Sequence, residues 1–330
     1  MTAAEILKAA QGIRRRVLAH CVKNNGGYLS QACSSAEILA TLYLKAMNLG
    51  PSVAPAVPPP FPGVPGSPGI PYANGAGYNG APGPDRDRFF LSPAHYALAL
   101  YAALIEAGRM DPSGLDQFNR DGSSVEMIGA EHSPGFEAMG GALAQTLSQA
   151  AGRAWARARA GDPGRVFVFL SDGEFQEGQT WEAIQTMAFF GIGNLIAYVD
   201  VNGFQCDGPT AQVMDLGRLE DKIRAFGAEA VPVDAHDPDA LYRASLPGGG
   251  AIGRRLAPRF VLCRSNPSQG IPLLEERRPK FHYLRFVSDG EKAAYAALLG
   301  SGESREGGER WKSRSEERRV GKGGRSRWSP

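Results

Sequence analysis

The spacing of hydrophobic residues divides the chain into helical and strand-like segments. From residue 4 to residue 49, apolar residues recur every three or four positions, with one interruption at the turn 24–27. This spacing predicts two helices that meet at a glycine-rich corner. Ser92 and Pro93 are predicted to open an amphipathic helix in the favoured order of cap and proline. Further helices are predicted over 140–160, 177–191, 215–227 and 237–245.

Continuous apolar runs predict the strands of a buried parallel sheet. RVFVFL (165–170) and NLIAYVD (194–200) flank a helical segment, which is the order of a β-α-β unit. Shorter runs predict three more strands, at 89–91, 228–234 and 259–265. We therefore expect an α/β fold: a doubly wound, mainly parallel sheet with helices on both faces.

Residues 51–84 interrupt this alternation. They contain 11 of the 24 prolines and seven of the 42 glycines. Such a composition cannot keep the hydrogen bonds of a helix or a sheet, so we expect a long loop inside the domain that spans 1–299. Its aromatic residues, Phe61, Tyr72 and Tyr78, indicate that the loop lies against a surface.

Composition excludes several classes of protein. No run approaches the roughly 18 to 20 apolar residues of a membrane-spanning helix, and the N-terminus lacks the order of a signal peptide. The four cysteines lie far apart without a CxxC pair, which favours reduced thiols over a disulfide frame or a zinc site. We expect a cytoplasmic protein that contacts no membrane.

The positive net charge comes from the end of the chain. Lys and Arg number 36 against 34 Asp and Glu, a net charge of +2; the last thirty residues hold nine of the former and five of the latter, so the rest carries −2. No nucleic-acid partner is expected for 1–300. We interpret 300–330 as a disordered basic tail and, because 314–330 resembles translated sequencing-adapter DNA, as an artefact of sequencing or a frameshift.

Candidate chemistry follows two neighbouring strands of the predicted sheet. Asp172 comes after the first strand and Asn202 after the next, 30 residues later. Ligands of open α/β sheets bind beyond the carboxyl ends of the strands, where these two side chains converge. One carboxylate and one amide oxygen suit Mg²⁺. Gly173 and the N–H groups of the following helix suit a diphosphate.

Alternative interpretations of these residues remain open at this point. Asp-Gly and Asn-Gly are also frequent turn formers without any ligand. A dinucleotide site is disfavoured, since no GxGxxG follows a predicted strand, and a serine hydrolase is disfavoured by the lack of GxSxG.

Several separated motifs resemble transketolases. The segment 171–208 (SDGEFQEG to NGFQCDG) resembles their thiamine diphosphate signature, in which an Asp-Gly pair opens the motif and an Asn about thirty residues later closes it. The flanking motifs agree in kind and in order: LSPAH (91–95), PGFEAMGGALAQ (134–145) and NPSQG to FHYLRF (266–286). The resemblance runs from about residue 5 to 297.

The resemblance implies roles for individual residues. Asp172 and Asn202 would bind Mg²⁺, or Ca²⁺ or Mn²⁺ in its place, through their side chains and Phe204 through its carbonyl, while Gly173 would contact the diphosphate. His95 and His282 would be the catalytic histidines that flank the diphosphate and the reacting carbon. The pyrimidine side of thiamine diphosphate would lie against Gly141 and Leu143.

The resemblance also implies the reaction and the partner. A transketolase moves a two-carbon ketol unit from a ketose to an aldehyde, with the chemistry supplied by the cofactor. Full-length members continue with a pyrimidine-binding domain, so this chain is expected to be the N-terminal subunit of a split enzyme. It would act with a C-terminal subunit as an α₂β₂ heterotetramer on small sugars.

Two alternatives stand beside the split transketolase. One is the α-type subunit of a 2-oxo-acid dehydrogenase or decarboxylase, which uses a similar motif; LSPAH and NPSQG favour transketolase over it. The other is a cofactor-binding remnant with a regulatory or scaffold role.

Some positions depart from the family pattern. Tyr28 stands where many transketolases have a substrate-facing histidine, and Ser171 replaces the usual glycine before the Asp. Substrate preference is therefore open, as are the donor and acceptor sugars. His132 does not align with a family histidine, His236 and His20 are expected in turn and packing roles, and Glu177 is expected near a subunit contact. Residues 134–146 resemble the loop that lies over the cofactor in the family and are called the cofactor loop below. In this loop, Met139, Ala144 and Thr146 replace residues that are commonly Thr, Gly and Gly.

Overall fold

The structure, a computed structural model, describes residues 1–61, 63, 74–246, 251–252 and 255–300. Met1–Gly300 form one compact unit. Tyr72 and the expected tail from residue 301 onward lie outside the described residues, so the expectations for them stay predictions.

Parallel strands form the central sheet. The strands follow in chain order as β1 Arg88–Leu91, β2 Val166–Ser171, β3 Leu195–Val201, β4 Phe204–Gln205, β5 Gly208–Pro209, β6 Glu229–Asp234, β7 Ala251–Ile252, β8 Arg255–Leu256 and β9 Arg259–Arg264. Five of them make one sheet in the order β1-β2-β3-β9-β6, and every neighbouring pair is parallel. β4 with β5 and β7 with β8 form short antiparallel ribbons.

Helices connect and cover these strands. The α-helices are α1 Ala3–Asn24, α2 Leu29–Thr41, α3 Ala97–Glu106, α4 Gln145–Ala160, α5 Gly178–Phe190, α6 Thr210–Val213, α7 Leu219–Ala225, α8 Pro238–Ser245 and α9 Asp289–Gly300. Shorter helical turns lie at Leu42–Ala46, Gly75–Asn79, Ala94–Tyr96, Pro112–Gln117, Asp172–Gln176 and Pro272–Arg277.

Successive side chains along a strand of the sheet pack alternately into two separate hydrophobic cores. On β2, Phe167 and Phe169 join the core that contains α1, α2, α3, α8 and α9. Val166, Val168 and Leu170 of the same strand join the core that contains α4, α5 and α7. All of these side chains are fully buried, because both faces of the sheet are covered. The predicted doubly wound α/β fold is confirmed.

The corner between α1 and α2 is tied to a distant segment. Asn25 ends α1 in the left-handed conformation with φ 56°. Gly27 then exchanges two backbone hydrogen bonds of 2.9 Å with Leu284. This bridge brings the start of α2 beside residues near the end of the described chain.

The helix α3 differs from its prediction. Its residues from Ala97 to Ile105 are all buried, so it is not amphipathic. It packs against α1, α2 and the turn Pro112–Gln117, and it therefore lies inside the first core. Ser92 does not cap it; the Ser92 hydroxyl instead donates a hydrogen bond to the Glu174 carboxylate.

The described parts of the loop 51–84 are held by hydrogen bonds. Tyr78 is buried and its hydroxyl donates to the carbonyl of Pro55 at 2.8 Å. The Arg109 guanidinium donates to the carbonyls of Tyr78 and Gly50 at 2.8 and 3.0 Å. Phe61 is more exposed, and its ring contacts that of His132. These contacts keep both ends of the loop against the domain.

Within the described residues, no helix has the length and apolar character needed to cross a membrane.

Candidate functional site

The carboxyl ends of β2 and β3 bring the two predicted metal ligands to the same edge of the sheet. Ser171 and Asp200 are partners in the register of these strands, so the following residues also lie side by side. Asp172 Oδ2 accepts a hydrogen bond of 2.9 Å from the backbone N–H of Gly203. Asn202 Oδ1 accepts one of 2.8 Å from the N–H of Phe204. Asp172 therefore contacts the turn that carries Asn202.

Asp172 is a buried carboxyl group with one oxygen unsatisfied. Its Oδ1 is buried without a hydrogen-bond partner among the described residues. Burial is the main cause that raises the pKa of Asp172 to about 7, and the nearby charge of Asp200 is the second. The hydrogen bond from the N–H of Gly203 acts in the opposite direction. A cation beside Oδ1 would supply the missing partner and keep the carboxyl group ionised.

The oxygen atoms around Asp172 suit a hard divalent cation. The described part of the chain has no group of three or more His, Cys, Asp or Glu side chains placed to hold a metal ion. A cation here would use the Asp172 carboxylate, the Asn202 amide oxygen and a backbone carbonyl, with further oxygens from a ligand and water. Mg²⁺ is commonly bound in this way, and the residues fit it.

A short helical turn that was not predicted, Asp172–Gln176, separates β2 from the predicted helix. That helix, α5, begins at Gly178, one residue after its predicted start. Ser171 and Glu174 form a capping box at the start of this turn, in which the Glu174 carboxylate accepts a hydrogen bond of 2.8 Å from the Ser171 N–H. A Cβ atom added to Gly173 would meet Gln205 Cβ at 3.5 Å, which is ordinary contact, so packing within the chain does not require glycine there.

His95 and His282 lie together, although 187 positions separate them in the sequence. Their ring centroids are 4.8 Å apart, and the ring of Tyr28 lies 5.9 Å from His95 and 5.5 Å from His282. The bridge between Gly27 and Leu284 sets this arrangement, and Gln31 Nε2 supports it by donating to the carbonyl of His282 at 3.1 Å.

Both histidines are neutral at pH 7. Burial is the main cause that lowers the pKa of His95 to about 3, and the neighbouring His282 is the second. Burial also lowers the pKa of His282, with Asp207 acting in the opposite direction. A neutral imidazole donates through one ring nitrogen and accepts through the other, so this pair can hold or transfer a proton.

The predicted cofactor loop leads from Phe136, which packs in the first core, to α4, which packs in the second. Gly141 is exposed, and 39% of the Leu143 surface is accessible. Ala144, which precedes α4, is fully buried and has a positive φ of 67°. A Cβ atom added to Gly140 would lie 3.1 Å from the carbonyl oxygen of Leu91, so this loop packs closely on the end of β1.

A buried network around Asp200 was not predicted from the sequence. The Asp200 carboxylate accepts hydrogen bonds from Ser34 Oγ at 2.5 Å, Tyr96 hydroxyl at 2.6 Å, Asn202 Nδ2 at 3.2 Å and from the hydroxyl of Ser265. The Tyr96 hydroxyl also accepts from Asn202 Nδ2 at 3.1 Å. These contacts fix the side chain of Asn202. The signal in the sequence was an aspartate at the end of a strand that is otherwise apolar.

The remaining histidines contact other residues. His132 contacts Glu126 at 3.1 Å and the ring of Phe61. His20 packs on Phe118 with ring centroids 5.1 Å apart, in the expected packing role. His236 does more than form a turn, because its Nδ1 lies 3.0 Å from the buried carboxylate of Glu37.

Comparison with known proteins identifies the fold and the family. A parallel α/β sheet with Asp172 and Asn202 beyond its strand ends belongs to the class of domains that bind ligands at that edge. Residues 79–276 match the family described as transketolase, thiamine diphosphate binding domain. The chain belongs to the transketolase family, as its motifs predicted.

Two relatives match this chain over nearly their whole length. A transketolase family protein of Sinorhizobium fredii is 36% identical over 294 residues, covering 89% of this chain and 94% of the relative. The 6-deoxy-6-sulfo-D-fructose transketolase subunit SqwG of a Clostridium species is 30% identical over 290 residues, covering 88% of this chain and 94% of the relative.

The fold matches that of solved transketolases. The crystal structure of transketolase from Campylobacter jejuni superposes with a TM-score of 0.68 at 18% sequence identity. The match covers 91% of this chain but only 47% of that one. This chain therefore spans about half the length of that transketolase.

Proposed function

We propose that this chain binds thiamine diphosphate with a divalent cation and is the N-terminal subunit of a split transketolase. The observation that carries the proposal is the buried, unpaired Oδ1 of Asp172, which lies at the carboxyl edge of the sheet beside the turn of Asn202. A buried carboxylate oxygen with no partner among the described residues is favourable only when a cation or a proton joins it.

Three residues would hold the cation. Asp172 and Asn202 would bind it through side-chain oxygens and Phe204 through its carbonyl, while Gly173 would contact the diphosphate. Tyr96 and Asp200 both accept hydrogen bonds from Asn202 Nδ2, which leaves the amide oxygen on the opposite side. The amide is thus oriented before any ligand binds, and this lowers the entropic cost of binding.

The other residues would position the cofactor and move protons. Gly141 and Leu143 would contact the pyrimidine side of thiamine diphosphate. Bound thiamine diphosphate supplies a nucleophilic carbon for breaking and forming the bond next to a ketose carbonyl. His95 and His282, neutral and adjacent, would hydrogen-bond the hydroxyl and carbonyl oxygens of the sugar and exchange protons with them.

The proposed reaction needs a second polypeptide. One relative that matches over nearly its full length is named as a subunit, whereas the solved Campylobacter enzyme is about twice as long. We propose that a C-terminal subunit with a pyrimidine-binding domain completes the site in an α₂β₂ heterotetramer. Reduced cysteines, three of them buried, suit the cytoplasm as its compartment.

Calorimetric titration tests the cofactor site. Thiamine diphosphate titrated into the chain should bind only when Mg²⁺ is present. Asp172→Asn should raise the Kd at least about tenfold, since it removes the charge that faces the cation. Asp215→Asn, at an exposed position, is the matched control and should bind like the wild type. Equal affinity of Asp172→Asn and wild type would contradict the site.

Reconstitution tests the enzyme. The chain should co-purify with a co-expressed C-terminal transketolase subunit encoded beside it, and the complex should transfer a ketol unit from a ketose to an aldehyde. Cofactor binding without transfer by that complex would instead favour the non-catalytic remnant.

A further inference from the structure

Two side chains hold one peptide group of the cofactor loop. The carbonyl oxygen of Leu143 accepts a hydrogen bond of 2.9 Å from Gln179 Nε2. The N–H of the next residue, Ala144, donates one of 3.0 Å to Glu174 Oε1. Both polar atoms of the Leu143–Ala144 peptide group are therefore bound by the segment that follows β2.

Glu174 lies in the interior of the protein, where several hydrogen bonds hold it. Its side chain is fully buried. Besides Ala144, its carboxylate accepts from the hydroxyl of Ser92 and from the N–H of Ser171 at 2.8 Å. These donors come from three different segments: the loop after β1, the cofactor loop and the last residue of β2. Glu174 thus joins the loops that surround the proposed cofactor site.

The backbone at Ala144 needs such support. Its φ of 67° lies in the left-handed region, which is sterically disfavoured for an L-residue with a Cβ atom. Without an external contact, rotation of the Leu143–Ala144 peptide would relieve this strain. The hydrogen bonds from both sides oppose that rotation.

We propose that Glu174 and Gln179 are positioning residues for thiamine diphosphate: by fixing the Leu143–Ala144 peptide group, they set the loop that presents Gly141 and Leu143 to the cofactor. This inference rests on the proposed function. Neither side chain needs to touch the cofactor, because both act through the backbone of the loop.

Hydrogen exchange measures how often the backbone of the cofactor loop opens, and it needs no bound ligand. In the full chain, a peptide that covers 139–146 should exchange its amide hydrogens about threefold to tenfold faster in Gln179→Ala than in wild type, as expected for one lost hydrogen bond. Glu174→Gln should act in the same direction, because its amide nitrogen would face a backbone N–H. Gln185→Ala, a matched change on the exposed face of α5, should leave this exchange unchanged.

Gln179→Ala keeps the test decisive if Glu174→Gln fails to fold, since Gln179 is only partly buried. Exchange of 139–146 equal to wild type in this variant would overturn the inference.

Cofactor affinity separates the inference from the proposed function. Thiamine diphosphate with Mg²⁺ should bind the Gln179→Ala chain about threefold to tenfold more weakly than the wild type, with Gln185→Ala unchanged. Faster exchange with unchanged affinity would show that the loop does not position the cofactor. A wild-type chain that binds no thiamine diphosphate would count against the proposed function, while the exchange data would still report on the two side chains.

Discussion

Asp172, the proposed cation ligand, is a buried carboxyl group whose ionisation lowers the stability of the free chain. Its pKa rises from 3.8 to about 7 on folding, mainly through burial. Between these values the folded chain binds more protons than the unfolded chain, so the free energy of unfolding falls as the pH rises through this window. Above about pH 7 the whole cost of the ionised carboxylate is present.

Asp172→Asn should therefore stabilise the chain in the absence of cations. At pH 8 we expect the free energy of unfolding to rise by about 1 to 3 kcal/mol, because the cost of the buried charge is removed and that of a buried amide is added. Urea denaturation at pH 8 in EDTA measures this change. At pH 4 the difference should nearly vanish; a variant less stable than wild type at pH 8 would contradict the explanation.

Ala144 also lowers the stability of the chain locally, through the left-handed conformation of its backbone. Ala144→Gly should raise the free energy of unfolding by about 0.5 to 1 kcal/mol, because glycine adopts a positive φ without steric strain. Ala142→Gly in the same loop is the control: its φ is not positive, so this change should be neutral or destabilising. Thermal unfolding of both variants measures the difference, and a lower melting temperature for Ala144→Gly would be the wrong sign.

At the scale of elements, the sequence predicts the strands and helices better than the contacts among their ends. The runs at 165–170 and 194–200 predict neighbouring strands because burial on both faces requires continuous apolar residues. α3 was predicted as amphipathic, yet it is buried on all sides because other helices cover it. Its sequence, largely alanine and leucine, carries little periodicity.

The predicted pairing of Asp172 with the turn of Asn202 follows from parallel topology alone. The partners of Glu174 and Asp200 could not be predicted in this way. Their hydrogen bonds join segments up to 166 positions apart, as between Ser34 and Asp200, and depend on side-chain conformations rather than on periodicity. The contact between Glu174 and Ser171 could be predicted from the sequence, since these two residues have the spacing of a capping box.

The start of α3 reaches Asn202 through Tyr96. Tyr96→Phe keeps the ring and removes the hydroxyl that joins Asp200 to Asn202, so it should destabilise the chain by about 1 to 2 kcal/mol. It should also weaken Mg²⁺-dependent binding of thiamine diphosphate several-fold, because the Asn202 amide is freer to rotate.

Tyr101→Phe, on α3 itself, is the matched control for the change at the N-cap residue Tyr96. The Tyr101 hydroxyl donates to the carbonyl of Glu126 at 2.6 Å, away from Asn202. This variant should lose similar stability and keep its cofactor affinity, as measured by denaturation and calorimetry. An equal loss of affinity in both variants would show that Tyr96 has no special role.

At the scale of the whole molecule, Glu37 connects helices to the sheet. Its buried carboxylate pairs with the guanidinium of Arg14 on α1 and with His236 after β6. Burial alone would raise the pKa of Glu37, but Arg14 and His236 outweigh it and lower the pKa to about 2. This interaction therefore stabilises the fold fully above about pH 4.5 and is lost as the pH falls toward 2.

Glu37→Gln should destabilise the chain by about 3 to 5 kcal/mol at pH 7, because it leaves the Arg14 guanidinium buried without its counter-ion. The difference from wild type should shrink as the pH falls below 4.5. Glu106→Gln, which breaks the more exposed pair with Arg16, should cost less than about 1 kcal/mol. Chemical denaturation from pH 7 to pH 3.5 measures both; a deficit of Glu37→Gln that grows in acid would contradict the assigned sign.

The bridge between Gly27 and Leu284 also bears on the order of events during synthesis. Tyr28 leaves the ribosome early, but the residues that bring His282 to it emerge about 250 positions later. The sheet strands are complete by Arg264, so a folded core can exist before the histidine pair does. A nascent chain stalled before residue 284 would thus hold every strand of the sheet but lack the bridge that brings His282 to Tyr28, so the histidine pair assembles only after the sheet.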